Sequence, residues 1–374
     1  MRASWLILHR LLQDAQRDLG KLSLLETVSS GVYPQLNASA SLKQLRINLD
    51  AEHSEPKSAF KREFALKIRR ELLTISDDDS RRSQGAYNEP SRAGSDDVIV
   101  EWIEYEKGDL DGRLNHVRRI DDLARMAHSA SDRHPDLHTL DCLGYTDDSI
   151  RSRYGLVYKA PAKSFSTLHS LITSNDLRTP DLGDRFKLAH TLAVALWSLH
   201  SLDWLHKSLS SYNILFFPST FASSETKATA VSATVTIPSP YLLGFDASRP
   251  DHLTETSVAS KNPSSMDLHR HPHSLNGLEK KPYCKSYDIY SLGLVLLEIG
   301  LWKVLQAYYK PHYTAERFRD KVVLSVLVPG LGSKTGVLYR QVIERCLSVK
   351  ENLTGEEAGS LMGYVVSSLE SLHV

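Results

Sequence analysis

The sequence predicts an α+β protein: an α-helical N-terminal region over residues 1–75, a polar linker over 76–97, and a larger domain over 98–374 that begins rich in strands and ends rich in helices. Three observations predict it. Residues 98–105 and two later runs are dense in β-branched and aromatic side chains, which suit a pleated, half-buried surface. From residue 180 onward apolar residues recur at spacings of three and four, the mark of helices with one buried face. Between 77 and 97, Asp, Ser, Arg, Gly, Asn and Pro leave almost no apolar content to drive burial.

Composition narrows the function classes. Lys+Arg and Asp+Glu are equal at 45 each, so no global field draws the chain to nucleic acid or to an anionic membrane. Cys142, Cys284 and Cys346 are odd in number and far apart. They suit a reducing compartment and read as small buried apolar residues rather than a disulfide framework. The apolar run from Trp5 to Leu8 is cut short by His9 and Arg10, so no secretory signal is expected. No stretch reaches the ~18 apolar residues of a membrane span. The best candidate, Leu292 to Trp302, is short and carries Glu298. The expected address is the cytoplasm, and the expected partners are other proteins.

Taken in order, Trp5, Leu8, Leu12, Ala15, Leu19 and Leu22 form the seam of a helix over 3–25 that needs a partner surface, in this protein's own core or on another chain. Phe60, Phe64, Ile68, Leu72 and Ile75 repeat the spacing and predict a second helix. The strand at 98–105 is followed by a helix over 116–128, with Val117, Ile120, Leu123, Ala124 and Ala127 on one side. Two short strands are expected within 137–145 and 154–158. Leu168 to Ile172 reads as a short helix. Pro180 and Asp181 then open a strong one, in which Leu188, Leu192, Ala195, Leu196 and Leu199 share a face. Residues 218–240, rich in Ser, Thr and Ala, read as a surface loop. Residues 287–300 are apolar all the way round, as in a helix buried inside a domain. Amphipathic helices near 336–348 and 354–372 close the chain, with Thr354 and Glu357 making a capping box.

Two motifs carry chemical information. His206-Lys207-Ser208-Leu209-Ser210-Ser211-Tyr212-Asn213, with Ile214-Leu215 after it, resembles the protein kinase catalytic loop H-R-D-L-K-x-x-N-I-L. Tyr287-Asp288-Ile289-Tyr290-Ser291-Leu292-Gly293, continuing to Glu298, resembles the central helix of the same family. The resemblance implies a two-lobed kinase-like fold, with a small lobe over 98–161, a large helical lobe over 162–374 and a hinge at Ala160-Pro161. It also implies that Asp288 accepts backbone N–H bonds from the catalytic loop.

The departures from the family pattern fall on the groups that handle ATP. Ser208 stands where the family has the aspartate that accepts the substrate proton, and Ser210 where it has a lysine. A serine hydroxyl is not ionised at neutral pH and makes a poor base. Gly244-Phe245-Asp246 inverts D-F-G, so a glycine takes the place of the Mg²⁺-binding aspartate, and a glycine side chain has no oxygen to offer. His271-Pro272-His273 replaces A-P-E, and residues 346–352 lack the arginine that would pair with its glutamate. Phe64-Ala65-Leu66-Lys67 mimics V-A-I-K, whose lysine grips ATP phosphates. It lies in a helical pattern, however, and no G-x-G-x-x-G precedes it. No lysine lies near Ile103, where the third strand of a kinase would carry one, and Asp121 and Asp122 would then lack a partner.

The chain is therefore expected to be a degenerate, pseudokinase-like signalling or binding scaffold. The phrases Trp204-Leu205-His206-Lys207-Ser208, Gly244-Phe245-Asp246 with Ser248-Arg249-Pro250, and Tyr290-Ser291-Leu292-Gly293 resemble the fungal group whose kinase-like domain follows a HeLo-type helical region. That resemblance implies a link to self/non-self recognition and cell-death signalling, with self-association through the N-terminal helices. The enzyme alternative is a divergent Ser/Thr kinase that binds ATP and Mg²⁺ through Asn213, Asp246 and Lys67. His269, His271 and His273, spaced by two, have the ligand type for a transition metal. Adjacent prolines and the lack of a nearby acidic or cysteine ligand before Cys284 weigh against that reading.

Overall fold

A computed structural model describes residues 19–29, 40, 43, 44, 47, 65–76, 81–90, 94–105, 110–128, 130–218, 239–245, 248–250, 268–275 and 282–372. The chain divides into two units, Met1–Ser164 and Phe165–Val374, each mixing strands with helices in an α+β architecture. Among the described residues no helix is long and apolar enough to cross a membrane.

The N-terminal unit contains helix α1 (Leu19–Ser29) and a six-stranded sheet. Its strands are β1 (Lys67–Ile68), β2 (Leu73–Ile75), β3 (Arg82–Tyr87), β4 (Asp96–Glu104), β5 (Cys142–Asp148) and β6 (Arg153–Lys159), in the order β1-β5-β6-β4-β3-β2. β2, β3 and β4 form an antiparallel meander, and β1 runs parallel to β5 at the other edge. Helix α2 (Leu110–Ala127) connects β4 towards β5 and packs on β5 and β6.

β4 is the middle of this sheet because both of its faces can be buried. Alternate residues point to opposite faces of a strand, so Val98, Val100 and Trp102 share one side, where they cluster with Ile68, Leu73 and Val157. Ile99, Glu101 and Ile103 occupy the other side and are buried as well. The buried charge of Glu101 is met by its cross-strand neighbour Arg82, whose guanidinium donates from Nε and Nη2 to one carboxylate oxygen at 2.9 and 2.7 Å. The Trp102 indole N–H donates to Ser83 Oγ at 2.8 Å, and the Arg153 guanidinium stacks 3.9 Å above its ring while bonding Asp148 at 2.9 Å.

The expected second helix is corrected here. Its described part is a strand, a 3-10 turn over Arg70–Leu72 and another strand. Ile68, Leu72 and Ile75 fall at helical spacing by coincidence, because Ile68 and Leu73, on two different strands, are the residues that enter the core. The expected linker over 76–97 is also corrected, since it contains all of β3 and the start of β4. β3 is polar because a ladder needs backbone groups rather than apolar side chains, and its one buried residue, Ser83, serves Trp102. The first helical seam lies mostly outside the described residues, apart from its last turns in α1.

The C-terminal unit opens with β7 (Ser166–Thr167), helix α3 (Leu168–Thr173) and helix α4 (Leu182–Ser201). β8 (Trp204–Leu205) pairs with β11 (Arg249–Pro250), and β9 (Ile214–Phe216) lies between β7 and β10 (Tyr241–Leu242). Helix α5 (Lys285–Leu301) is the core element, with every residue from Ser286 to Gly300 buried. Helices α4, α6 (Val328–Thr335), α7 (Val337–Leu347) and α8 (Gly355–Glu370) all pack on it. α8 starts with the expected capping box, the Glu357 amide donating to Thr354 Oγ1 and the Thr354 amide to Glu357. Burial pushes the thiols of Cys142 and Cys346 up to about 12, so both behave as apolar side chains; Cys284 is only partly buried.

Close approach of α5 and α7 depends on Gly293. A Cβ there would stand 2.7 Å from Cys346 Cβ and 3.1 Å from Leu347 Cδ2. Gly293→Ala should therefore destabilise the protein by about 1–3 kcal/mol despite the better helix propensity of alanine, read as a lower urea midpoint at unchanged m-value.

Candidate functional site

The site is built around Asp288, placed by the first turn of α5 and fully buried. Its Oδ2 accepts the backbone N–H of His206 at 2.8 Å, and its Oδ1 accepts that of Lys207 at 2.8 Å. The Tyr283 hydroxyl donates to Oδ1 at 2.9 Å, and His200 Nε2 lies 3.2 Å from Oδ2. Burial alone would raise the pKa of this carboxyl. The hydrogen bond and charge of His200 and the Lys207 amide outweigh burial and hold it below its ordinary value. Tyr283 moves the opposite way, pushed well above its ordinary value by burial and then by the charge of Asp288, so it remains a donor.

These bonds fix a loop that the chain would not otherwise adopt. Lys207 has φ +66°, in the left-handed region that costs a residue with a Cβ about 1 kcal/mol or more. The two amides held by Asp288 flank His206, and the second is the strained residue's own N–H. The Ser208 amide donates to His206 Nδ1 at 3.2 Å, so that nitrogen carries no proton and the Nε2–H faces the Leu243 carbonyl at 3.1 Å. His206 also packs against Phe245, ring centroids 5.0 Å apart.

The Asn213 amide donates to the Ser208 carbonyl and, at 3.1 Å, to Ser208 Oγ. Gly244 has φ +93°, and a Cβ there would stand 2.4 Å from Asn213 Nδ2. The glycine is thus required by the position of Asn213. A second tie closes the loop: the Trp204 indole donates to Ser248 Oγ, whose hydroxyl donates to the Leu205 carbonyl.

Ser208, Asn213, Gly244 and Asp288 therefore lie in one neighbourhood with His206 and Lys207, and Ser210 is buried beside them, its carbonyl accepting the Asn213 amide at 3.0 Å. Asp246 lies outside the described residues. Lys67 belongs to the other unit, on β1, half exposed and 3.9 Å from Asp147. Its placement on a strand removes the helical argument against it, though the strand is an edge one. Asp121, expected to lack a partner, pairs with Arg125 on its own helix at 3.0 Å.

The histidines separate by role. His269 Nε2 bonds the buried Glu298 at 2.9 Å, and Glu298 also accepts the Leu305 amide at 2.8 Å. His273 meets Glu351, an acidic partner that the sequence reading passed over. His271 stacks on Tyr287 and completes a group in which one ligand atom each from His271, His273 and Glu351 lie within 4.8 Å of one another. The expectation that no acidic ligand is near is corrected: Glu351 is distant in sequence, and spacing alone could not bring it in.

The family described as a domain of unknown function (DUF7580) matches residues 96–362, and the chain belongs to it. None of the curated proteins matches the chain.

Two outcomes follow from the Asp288 geometry. Asp288→Asn presents an NH₂ to groups that are themselves donors, and should cost on the order of 3 kcal/mol of unfolding free energy, measured by chemical denaturation. The folded-state pKa values of Asp288 and Glu298 are depressed, so their stabilisation is fully present above the unfolded carboxyl pKa, near 4, and is lost as pH falls through the lower folded values. Urea midpoints should therefore fall along an acid limb below about pH 4 that is shallower in Asp288→Asn.

Proposed function

We propose that this member of the DUF7580 family is a kinase-like scaffold that has lost phosphoryl transfer and acts in signalling by binding other proteins. The observation that carries the reading is the contact between Asn213, Ser208 and Gly244. Where a kinase would place a metal carboxylate and a proton-accepting carboxylate beside the asparagine, this chain has a glycine backbone and a hydroxyl, and the asparagine amide donates to the serine.

Three further features support it. The meander β2-β3-β4, followed by α2, β5 and β6, makes residues 96–104 a third strand before a helix, the position from which a kinase lysine reaches phosphate. That strand contains no lysine, and its buried ionisable group, Glu101, has the opposite sign and is satisfied by Arg82. Asp288 accepts amides of the loop at 206 and 207, the structural role its counterpart plays in the family. His273 and Glu351 pair where the family pairs a glutamate with an arginine, so the tie survives with its polarity reversed.

The test is the melting temperature of the full chain with and without millimolar MgATP. A competent cleft raises it by mass action, by about 2.7 kcal/mol of stability at a hundredfold excess over Kd. The scaffold reading expects no rise and no autophosphorylation. A clear rise together with autophosphorylation abolished by Asp246→Ala would establish the divergent kinase instead.

A further inference from the structure

We propose that His271, His273 and Glu351 form a binding site for a zinc-like divalent transition metal. His271 and His273 flank Pro272 at the start of the helical turn Pro272–Leu275, and Glu351 comes from the turn between α7 and α8. Two imidazoles and a carboxylate are a donor set that zinc accepts with a fourth position left open. One ligand atom from each lies within 4.8 Å of the others. Tetrahedral zinc with bonds of 2.0–2.2 Å needs ligand atoms about 3.3 Å apart, so the direct His273–Glu351 bond must open to admit the ion.

The burial pattern shows which ligands can move. His271 is buried, its ring stacked on Tyr287 at 4.7 Å with planes 13° apart and set edge-on to Tyr290 at 4.7 Å. Its Nδ1 accepts the His273 amide at 3.3 Å and so carries no proton; that bond gives way when the same lone pair takes the metal. The His273 side chain is 45% exposed and that of Glu351 20% exposed, so these two can close on a fixed third ligand from the solvent side. The charge of Arg319 reaches His271 and opposes a cation there. Its ion pair with Asp320 at 2.8 Å and the carboxylate of Glu351 offset it. Chelation would join the segment around residue 271 to the turn ahead of α8.

The plain alternative is a bare His273–Glu351 ion pair, which takes up no metal. Calorimetric titration of ZnCl₂ into chelator-treated full-length protein decides between them. One equivalent of Zn²⁺ should bind per chain. Both His273→Ala and Glu351→Gln should weaken binding at least ~10-fold, while His312→Ala leaves it unchanged. Co²⁺ in place of Zn²⁺ should give the visible absorption of a four-coordinate complex, lost in the same two variants. Because His273 is well exposed and Glu351→Gln keeps the size and shape of its side chain, the metal-free melting temperatures of both variants should stay near that of wild type, which separates lost ligation from lost fold. No uptake by the wild-type chain, or equal affinity in the two variants, overturns the site.

Discussion

An ionised carboxylate buried in the first turn of α5 is the constraint on which the C-terminal unit depends. Burying a charge is expensive unless every lone pair is used, and Asp288 uses its oxygens on two amides, a phenol and an imidazole. The N-terminal end of a helix adds a favourable dipole. In return, the carboxylate fixes the amides on either side of His206 and, with the second, the entry to Lys207 in its left-handed conformation. From there the order spreads: His206 reaches Leu243, the β8 and β11 strands pair, and Ser248 joins Trp204 to Leu205.

On the kinase-like reading, the same loop keeps its scaffold while its chemistry is replaced. Gly244 is there because Asn213 occupies the space a side chain would need, so an aspartate at 244 would have to expel the asparagine from its bond to Ser208. The two departures from the kinase pattern are coupled sterically. In the sheet, Glu101 and Arg82 make another self-contained pair in which the buried charge is matched within the strands themselves. On the kinase-like reading, positions that once faced nucleotide are now satisfied by their own neighbours.

The sequence exposed the C-terminal unit more fully than the N-terminal one, for physical reasons. Helices such as α4, α5, α7 and α8 announce themselves by apolar spacing or by all-round burial, and the Thr354 capping box is local. The loop at 206–213, the inverted Gly244-Phe245-Asp246 and the α5 motif singled out Ser208, Asn213, Gly244 and Asp288, which the structure places in one neighbourhood. β3 was missed because its pairing is carried by backbone, and β2 because three residues are too few to show a period. The helical stretch over 315–335 was not foreseen. Part of it is a π-helix, over Arg319–Leu327, whose wider turn blurs the ordinary periodicity. Glu351 could not be assigned to His273 because no local rule links residues so far apart.

The segment around residues 268–275 is fastened by two histidine–glutamate pairs of unequal depth. His269 and Glu298 are both buried and behave as part of the core, while His273 and Glu351 meet near the surface. An arginine in the outer pair would stay charged at all physiological pH values and would not ligate a metal. A histidine there has a ring nitrogen of the type that ligates a transition metal. On the kinase-like reading, exchanging the polarity of the tie therefore changes its kind: a permanent fastening becomes one that can respond to a metal ion. The inner pair keeps the segment attached to α5 whichever state the outer pair adopts, so any such response would be confined to the outer end, between Pro272–Leu275 and the turn that leads into α8.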